Sequence, residues 1–384
     1  MEREQELVNV PAGGREVRKG EKRMKKVLSV VLAATMVMSL AACGGGNSAK
    51  TDTKAADAGS GSEAAASADA ADDFQITIKF SNVFQPAEWN YKASEYLAEI
   101  VKEKTDGHII LEYYGQGQLD CYAASVEQAH NGAVWMGLEE PSYFADYIGD
   151  YNVLVGPMLY NNDDEYNAVM ASDIVTELNE RLAKEQNIRI LDTHYTFGYR
   201  SVCTNKLVEK PEDLNGVILR STESPLFIQT ITALGATPSP MSFTECISAM
   251  STGVVDGFEG STSTLKDTSA YEQVKKVAKT NHFIATRWLF MAEDVYQSIP
   301  EKYRTILDEC AYEAGMWAQT NAANDEASMI EFLAGEGVEW NDVDVEAFTA
   351  ACAPVYDWIV EEYGADPELY GKLVDFLTEY RANN

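Results

Sequence analysis

The alternation of apolar and polar residues between positions 74 and 138 predicts strands and helices in turn. In residues 74–80 every second side chain is apolar, as in a strand with one buried face. In residues 89–101 apolar positions recur at helical spacing, and this helix is expected to end at the glycine of 105–107. The ranges 109–114, 122–131 and 133–138 then predict strand, helix and strand. This order predicts a sheet that is covered by helices.

The pattern continues in the second half of the chain and includes one long helical stretch. Further strands are predicted at 188–195, 217–219, 254–258 and 287–291, and further helices at 163–186, 225–234, 243–251, 344–363 and 367–381. From Pro300 to about Leu333 the apolar residues keep a helical spacing. A helix of this length spans about 45 Å. It is therefore long enough to brace two lobes of a protein.

Length and charge narrow the classes of function. The chain has 384 residues, enough for two lobes that share a cleft. Its 30 basic and 61 acidic residues give a formal net charge of -31. Proteins that bind nucleic acids present clustered basic residues to the phosphates, so this balance argues against nucleic acid as a partner. Most of the acidic side chains are expected on a solvated surface.

A hydrophobic segment near the N-terminus has the build of a secretory signal. After Met24 and a short basic stretch, an apolar run covers residues 27–40 and leads into Leu40-Ala41-Ala42-Cys43. The run is too short for a stable membrane span and ends in small residues. A cysteine after Leu-Ala-Ala resembles a bacterial lipobox, which implies a lipoprotein signal peptide at 24–42 and a lipid on Cys43 that anchors the protein to the cell membrane. An ordinary signal peptide or a buried helix is the alternative.

The segments on either side of this signal are predicted to lie outside the fold. Residues 1–23 are mixed in charge and contain Pro11, which fits no signal peptide. They are expected to be untranslated, with translation starting at Met24, or else to form an extra leader. Residues 43–73 are mostly small or polar, and such a segment cannot offset its ordering entropy by burial. It is expected to be a flexible tether on the order of 30 Å long between the lipid and the folded part.

The cysteines and histidines show no metal-binding spacing. Beyond Cys43 the cysteines stand at 121, 203, 246, 310 and 352, without a Cys-x-x-Cys pair. Their odd number and spacing indicate neither a zinc site nor a disulfide framework, so most are expected to be small buried residues. The histidines lack the His-Glu-x-x-His pattern. The sequence therefore points to no metal and no cofactor.

A succession of short motifs occupies residues 197–282. The chain reads Phe-Gly-Tyr-Arg at 197–200, Lys-Pro-Glu-Asp-Leu-Asn-Gly-Val-Ile-Leu-Arg at 210–220, Leu-Gly-Ala-Thr-Pro-Ser-Pro-Met-Ser-Phe-Thr-Glu at 234–245, Ala-Met-Ser-Thr-Gly-Val-Val-Asp-Gly-Phe-Glu-Gly at 249–260, Tyr-Glu-Gln-Val-Lys-Lys at 271–276 and Thr-Asn-His at 280–282. This succession resembles the extracytoplasmic solute-binding proteins of TRAP transporters, the DctP-like family. Lys-Thr-Asp-Gly at 104–107, Gly-Gln-Leu at 117–119 and Asn-Gly-Ala-Val at 131–134 extend the resemblance, which weakens after Pro300.

The resemblance implies an α/β fold of the periplasmic-binding-protein type. Such a fold has two lobes, a ligand cleft between them, hinge strands and a long scaffold helix in the C-terminal half. Lobe I is expected to comprise 74–197 and 286–325, and lobe II 198–285 and 326–384. The resemblance further implies a monomer that works without a cofactor and has the subunits of a TRAP membrane permease as its partner.

Two arginines are the first candidates for ligand binding. Arg220 ends a predicted apolar strand just before Thr222 and a helix start, where a guanidinium can bind a carboxylate through two parallel hydrogen bonds. In the family, the arginine at this place is the principal clamp on the ligand carboxylate, and Arg200 matches a second arginine that assists it. Thr222 is a further candidate. Without the resemblance, the simpler interpretation of either arginine is a structural ion pair.

The segment from Asp256 to Gly260 departs from the family pattern. Asp256 and Glu259 are two nearby carboxylates, but general acid-base chemistry needs a defined spacing across a substrate. The family usually has Gln-Glu-Asn where this chain has Phe258, Glu259 and Gly260, and that Asn contacts the ligand. Its loss, together with Phe258, favours a larger or more apolar acid.

Further candidates lie near predicted strand ends or loops, where open α/β sheets bind ligands. They are Glu88, Trp89, Glu139, Glu140, Tyr195, Phe197 and Phe243. For each of them, packing or a surface position is the simpler interpretation. If Glu139 or Glu140 faced the cleft, it would recognise an amino or hydroxyl group of the ligand.

Together these features predict a receptor that captures an organic acid outside the cell and delivers it to a TRAP permease. Two other classes stay open: a lipoprotein that signals ligand occupancy to a membrane kinase, and a secreted lipoprotein enzyme that uses Asp256 or Glu259. No Gly-x-Ser-x-Gly or metal motif supports the enzyme. The sequence does not select one ligand, because C4-dicarboxylates, keto acids, sugar acids and aromatic acids share the group that Arg220 would hold.

Overall fold

The computed structural model describes residues 73–384. The extra leader, the signal peptide, Cys43 and nearly all of the tether, which the sequence predicts, lie outside these residues. Within the described range, the helices lack the combination of length and apolar content that a membrane span requires.

A sheet of nine strands forms the centre of residues 73–384. The strands are β1 Ile76–Ser81, β2 Ile109–Tyr114, β3 Trp135–Glu139, β4 Ile188–Thr204, β5 Ile218–Ser221, β6 Thr237–Pro240, β7 Gly257–Gly260, β8 Lys276–Ala292 and β9 Glu339–Asn341. Their order is β2-β1-β3-β8-β4-β7-β5-β6, with β9 paired to β8. Parallel pairs lie at both ends of the sheet, and β8 runs antiparallel to β3 and β4 in the middle.

Helices cover the sheet as the alternating pattern predicts. They are α1 Trp89–Lys104, α2 Ala123–His130, α3 Asp150–Leu154, α4 Asp163–Met170, α5 Asp173–Gln186, α6 Pro225–Ala233, α7 Phe243–Ser251, α8 Thr262–Asp267, α9 Glu293–Ser298, α10 Glu301–Gly335, α11 Val345–Tyr363 and α12 Leu369–Asn383. Short 3₁₀ helices lie at Pro141–Asp146, Pro211–Leu214 and Ala270–Glu272.

Local sequence signals explain where several helices begin and end. Pro225 occupies the first turn of α6, where its missing N–H is not needed. Gly235 follows this helix with φ at 99°, a conformation that glycine adopts without steric cost. At the start of α11 the Asp344 side chain accepts a hydrogen bond from the backbone N–H of Ala347.

Strands β4 and β8 connect the two lobes. Each has 17 residues, and they pair along their lengths. One end of the pair adjoins β3 and the other adjoins β7. The pairing register shifts between Thr196 and Tyr199 and again between Arg200 and Val202, and Gly198 has φ at 90°. Such bulges bend and twist a strand, and here they lie next to the predicted boundary between lobe I and lobe II at residues 197 and 198.

The apolar cores reflect this division. The largest cluster lies around β1, β3 and the second half of β8, and it includes Phe80 and Trp288. At the other end of β4 the neighbouring residues Val202 and Cys203 belong to two separate smaller clusters. Because successive strand residues face opposite sides, this arrangement shows a sheet that is covered on both faces. The predicted two-lobed α/β fold is therefore present.

Four predicted elements are wrong in their bounds or their continuity. The helix predicted at 163–186 is divided into α4 and α5, because Ser172 adopts an extended conformation with ψ at 159°. The predicted strands 188–195 and 287–291 are only parts of β4 and β8, and the strand predicted at 254–258 begins later, as β7. Helix α12 packs against α3 and α4, elements of the predicted lobe I. The residue boundaries of the lobes stay a prediction.

The long helix predicted from Pro300 is α10, which has 35 residues and spans about 52 Å. It packs against α1, α8 and β4. The helix packs closely on β4 at Gly315, where an added Cβ would collide with Asp192 Oδ2 and lie 3.2 Å from the Cβ of His194. Asp192 has little room to move, since its Oδ2 accepts a hydrogen bond of 2.8 Å from the backbone N–H of His194.

We expect Gly315→Ala to lower the free energy of unfolding by about 1–3 kcal/mol, because overpacking forces neighbouring groups to shift. Urea unfolding followed by circular dichroism measures this effect. Gly335→Ala in the same helix is the matched control, since nothing lies within 4 Å of its added Cβ. Equal stability of the two variants would contradict close packing of α10 on β4.

Candidate functional site

A cavity of about 390 Å³, here called the front cavity, lies on one face of strands β4 and β8. One part of its wall comes from the loop between β1 and α1, residues 83–88, and from Tyr122, Phe197 and Arg287. The other part comes from β5, α7 and α8 and from the residues that follow α8. The cavity therefore lies between elements of the two lobes, at the place where the strands cross.

Arg220 lies in this wall with a guanidinium that is only partly used by the protein. The residue is 3% exposed, and its Nε donates to the backbone oxygen of Met241 at 3.0 Å. Its terminal nitrogens make no hydrogen bond with the described residues. The Phe243 ring lies 5.2 Å from the guanidinium carbon. Burial lowers the pKa of Arg220, because no carboxylate pairs with it.

Arg287 is a second buried arginine in the wall. Its guanidinium carbon lies beside the rings of Phe84 and Phe197, at 5.5 Å and 5.4 Å from their centres. Nη1 donates to the backbone oxygen of Thr286 at 2.6 Å, whereas Nε has no partner among the described residues. Arg287 is not among the site residues that are predicted from the sequence. The available signal was an arginine inside an otherwise apolar strand, where charged residues are rare.

Arg200 also lines the front cavity, but Glu259 occupies most of its guanidinium. Nε donates to Oε2 at 2.5 Å, and Nη2 donates to Oε1 at 2.6 Å and to the backbone oxygen of Glu259 at 3.2 Å. His282 Nε2 is 3.6 Å from the same carboxylate. Although burial raises the pKa of Glu259, Arg200 and His282 lower it to about 2. Arg200 therefore forms the structural ion pair that is the simpler interpretation of its sequence position. It also lies in the cavity wall, as expected for a candidate ligand-binding arginine.

The structure does not bring Asp256 and Glu259 together as a catalytic pair. Glu259 is fully buried against Arg200 and does not line the front cavity. Asp256 Oδ2 instead accepts a hydrogen bond of 2.8 Å from the backbone N–H of Ile218. Each carboxylate is therefore committed to its own structural partner.

Phe258 and Gly260 lie away from the front cavity, and their packing explains why they occur together. Phe258 is fully buried and meets Phe243 edge-on, with ring centres 5.5 Å apart. A Cβ added at Gly260 would lie 2.7 Å from the Phe258 ring. The large ring therefore occupies the space that a side chain at position 260 would need.

A rear cavity of about 400 Å³ lies on the opposite face of β4, and Gly260 is one of the residues in its wall. Thr196, Gly198, Tyr199 and Ser201 of β4 face it, whereas Phe197 and Arg200 face the front cavity. Helix α10 closes the rear cavity with residues that include Glu326. The crossing segment of β4 thus forms a wall between two cavities.

The remaining predicted residues divide between the front cavity and the interior. Phe197, Phe243, Thr222 and Glu88 line the cavity. Thr222 is held in place because its Oγ1 accepts a hydrogen bond from the backbone N–H of Ser224 at 3.2 Å.

Trp89 and Glu139 do not line the front cavity. Trp89 turns towards α10, where its Nε1 donates to Asp325 at 3.0 Å. Glu139 is fully buried at the end of β3, opposite Trp288 in β8, and neither carboxylate oxygen has a hydrogen-bond partner among the described residues. Burial, which outweighs the attraction of Arg287, raises the pKa of Glu139 to about 8.

Tyr122 is a cavity residue that is not among those predicted from the sequence. Its backbone adopts φ at 60°, a conformation that is uncommon for a residue with a side chain and that tends to cluster at functional sites. The residue lines the front cavity, and its hydroxyl group is buried and has no partner among the described residues. The charge of Arg220 acts on this hydroxyl, so the two groups are near each other.

The sequence profile described as bacterial extracellular solute-binding protein, family 7, matches residues 80–363. This is more than half of the 384-residue chain. The chain belongs to this family.

Relatives of this family 7 protein include two solved TRAP periplasmic solute-binding proteins. The protein from Desulfovibrio salexigens, in complex with diglycerolphosphate, is 36% identical with a TM-score of 0.78, and the match covers 81% of this chain and 99% of that one. The protein from Fusobacterium nucleatum, with bound sn-glycerol-3-phosphate, is 31% identical with a TM-score of 0.77, covering 80% and 98%. The sialic acid-binding periplasmic protein of Vibrio cholerae is 27% identical, covering 76% and 90%.

We expect Glu139 to make the stability of the protein fall as pH rises. Its pKa increases from an ordinary 4.5 to about 8 on folding, so between these values the folded protein holds a proton that the unfolded chain has lost. Between these pH values, a difference of one bound proton makes the free energy of unfolding fall by up to about 1.4 kcal/mol for each unit by which the pH rises.

Urea unfolding of the parent protein and of Glu139→Gln at pH 5, 6.5 and 8 tests this expectation. Gln cannot ionise, so the variant should gain stability relative to the parent as pH rises. Glu88, whose pKa burial raises to about 7, titrates in both proteins and cancels in the comparison. A constant difference between the two proteins would show that Glu139 is already ionised at pH 5.

Proposed function

We propose that this family 7 protein captures an organic acid in the front cavity and delivers it to the membrane permease of a TRAP transporter. The observation that carries the proposal is the pair Arg220 and Arg287. Both guanidinium groups are buried in the cavity wall, and both keep N–H groups that no described residue accepts. Buried cations of this kind favour an anionic ligand, and the planar guanidinium suits carboxylates and phosphates.

In the proposed mode of binding, the acid group of the ligand accepts hydrogen bonds from Arg220, Arg287 and the hydroxyl of Tyr122. Arg200 adds positive charge, but its orientation is fixed by Glu259, which leaves less of it for the ligand. The step involves no covalent bond. It replaces the water around the ligand anion with groups that already point into the cavity, which favours tight binding.

The relatives support an acid ligand and widen its chemistry. One is named for sialic acid, a carboxylate, and two were solved with glycerol phosphates. A phosphate group has several acceptor oxygens, which suits two guanidinium groups and a hydroxyl. We therefore include phosphate esters beside the carboxylates that the motif around Arg220 favours.

Closure of the lobes around the ligand is the proposed mechanical step. The front cavity has walls from both lobes, and the bulged segments of β4 and β8 between them supply the natural hinge. A ligand that contacts both walls stabilises the closed form by the difference in its affinity for the two forms. The closed form is then the one that the permease recognises.

The proposed setting is extracytoplasmic, as for the periplasmic relatives, with a lipid on Cys43 and a monomeric receptor on the tether 43–73. The relatives named above are binding proteins of transport systems, which favours transport over signalling or enzymatic turnover. A permease partner in the membrane also accounts for a receptor that is held near the membrane on a tether.

We expect Arg220→Ala and Arg287→Ala each to weaken binding of an acid ligand by about 2–5 kcal/mol, because each removes one partner of a buried charged contact. A thermal-shift panel of carboxylates, phosphate esters and neutral analogues identifies the ligand, and calorimetry then measures its affinity. Arg181→Ala is the control, since Arg181 pairs with Asp150 away from the cavity and is half-exposed. Unchanged affinity in Arg220→Ala would refute the proposed clamp.

We expect Cys43→Ser to move the protein from the membrane fraction to the soluble extracytoplasmic fraction, because serine cannot form the thioether with the lipid. Fractionation of cells and mass spectrometry of the mature N-terminus measure this change. Cys121→Ser is the matched control, because Cys121 lies within the folded part. A parent protein that is already soluble would contradict the lipid anchor.

A further inference from the structure

The front cavity contains a second group of polar side chains, away from the arginine strands. Among the described residues that line it, Glu88 and Asp267 are the two acids. Glu88 directly precedes α1 on one side of the cavity, and Asp267 is the last residue of α8 on the other. The charge of Asp267 acts on Glu88, so the two carboxylates are within electrostatic reach of each other.

Asp267 has a buried acceptor atom that the protein leaves unused. Its side chain is 3% exposed, and Oδ1 accepts a hydrogen bond of 2.9 Å from Lys266 Nζ. Oδ2 is buried and has no partner among the described residues. A buried carboxylate oxygen without a donor is unfavourable, and such atoms are uncommon in folded proteins. A donor group on a bound ligand would remove this defect.

Glu88 presents a second carboxyl oxygen from the opposite wall, which is an acceptor when the group is ionised, although burial raises its pKa to about 7. The residue is 8% exposed, and its Oε2 accepts a hydrogen bond of 2.7 Å from the backbone N–H of Gln85. This bond fixes the carboxyl group and leaves Oε1 without a partner among the described residues. The two acids thus offer one fixed free oxygen each, from elements of different lobes.

The charges around these oxygens favour a neutral donor over an ammonium group. Lys266 already balances the charge of Asp267. At Glu88 the negative charge of Asp267 raises the pKa and the positive charge of Arg287 lowers it, so the two effects oppose each other. An ammonium group at Oδ2 would also lie near the Lys266 ammonium and be repelled by it. A hydroxyl group satisfies the same oxygens without adding charge.

We infer that Glu88 and Asp267 form a hydroxyl-recognition subsite, so that the ligand is an acid which also carries hydroxyl groups. The inference rests on the proposed function, in which the acid group is held by Arg220 and Arg287. It makes Asp267 and Glu88 residues that determine specificity among acids. Because the subsite has one acceptor from each side of the cavity, a hydroxylated ligand also connects the two lobes.

Matched pairs of acids test the subsite. Calorimetry compares sn-glycerol 3-phosphate with propyl phosphate, and gluconate with hexanoate, on the parent protein, Asp267→Asn and Glu88→Gln. In each variant an amide replaces a carboxylate of the same size. In Asp267→Asn the new amide is expected to turn its oxygen to Lys266 and its donor nitrogen to the ligand. Glu272→Gln, which makes the same change in charge on a residue outside the cavity, is the control.

We expect the parent protein to prefer a hydroxylated acid to its matched analogue by at least about tenfold, since sites built to bind a hydroxyl reject ligands that lack it. Asp267→Asn should reduce this preference, measured as the ratio of the two affinities, by about tenfold or more, and Glu272→Gln should retain it. Glu88→Gln gives an independent second measurement, and thermal melting confirms that each variant is folded.

Three results would overturn the inference. If the hydroxylated and unsubstituted acids bind equally well, and Arg220→Ala weakens both, the acid clamp stands and the hydroxyl subsite does not. If 3-aminopropyl phosphate binds best and this preference is lost in Asp267→Asn, the subsite takes an ammonium group instead. If no acid of the panel binds, the proposed function fails and the subsite fails with it.

Discussion

The buried ion pair between Arg200 and Glu259 is the interaction on which the rest of the site depends. It joins β4 to β7, the strand next to it in the second lobe, and His282 of β8 adjoins the same carboxylate. Removing one partner of such a pair leaves an uncompensated buried charge, at a cost of about 3–5 kcal/mol. Because the protein balances Arg200 internally, Arg220 and Arg287 have the larger share of the proposed interaction with an anion.

The sequence predicts helices and strands well where local signals, such as a proline or a short apolar run, set their ends. Arg220 was correctly placed at the end of a strand, because a short apolar run meets a proline-initiated helix there, and the bounds of α7 were predicted to the residue. The lengths of β4 and β8 could not be predicted in this way. Gly198 and the surrounding register shifts interrupt the alternation, while pairing between distant parts of the chain continues both strands through the interruption.

The candidate site was predictable only in part, for a related reason. A shift of one position along a strand or a helix start changes the surroundings of a side chain: Glu88 lines the front cavity, but Trp89 turns to α10. Arg287 and Asp267 depend on which face of β8 and which end of α8 meet the cavity, and that depends on tertiary contacts. The family motif identified Arg220 and Arg200 but carried no information on the ion pair that occupies Arg200.

The position of β4 between two cavities has a consequence for how such a receptor can evolve. Phe197 and Arg200 face the front cavity, while the intervening Gly198 and Tyr199 face the rear cavity and helix α10. In the proposed closure of the lobes, substitutions on the rear side change the fraction of closed protein without altering the groups of the front cavity. Apparent affinity scales with the fraction of the binding-competent form. Natural selection can therefore adjust how tightly the receptor holds its ligand independently of which ligand it accepts.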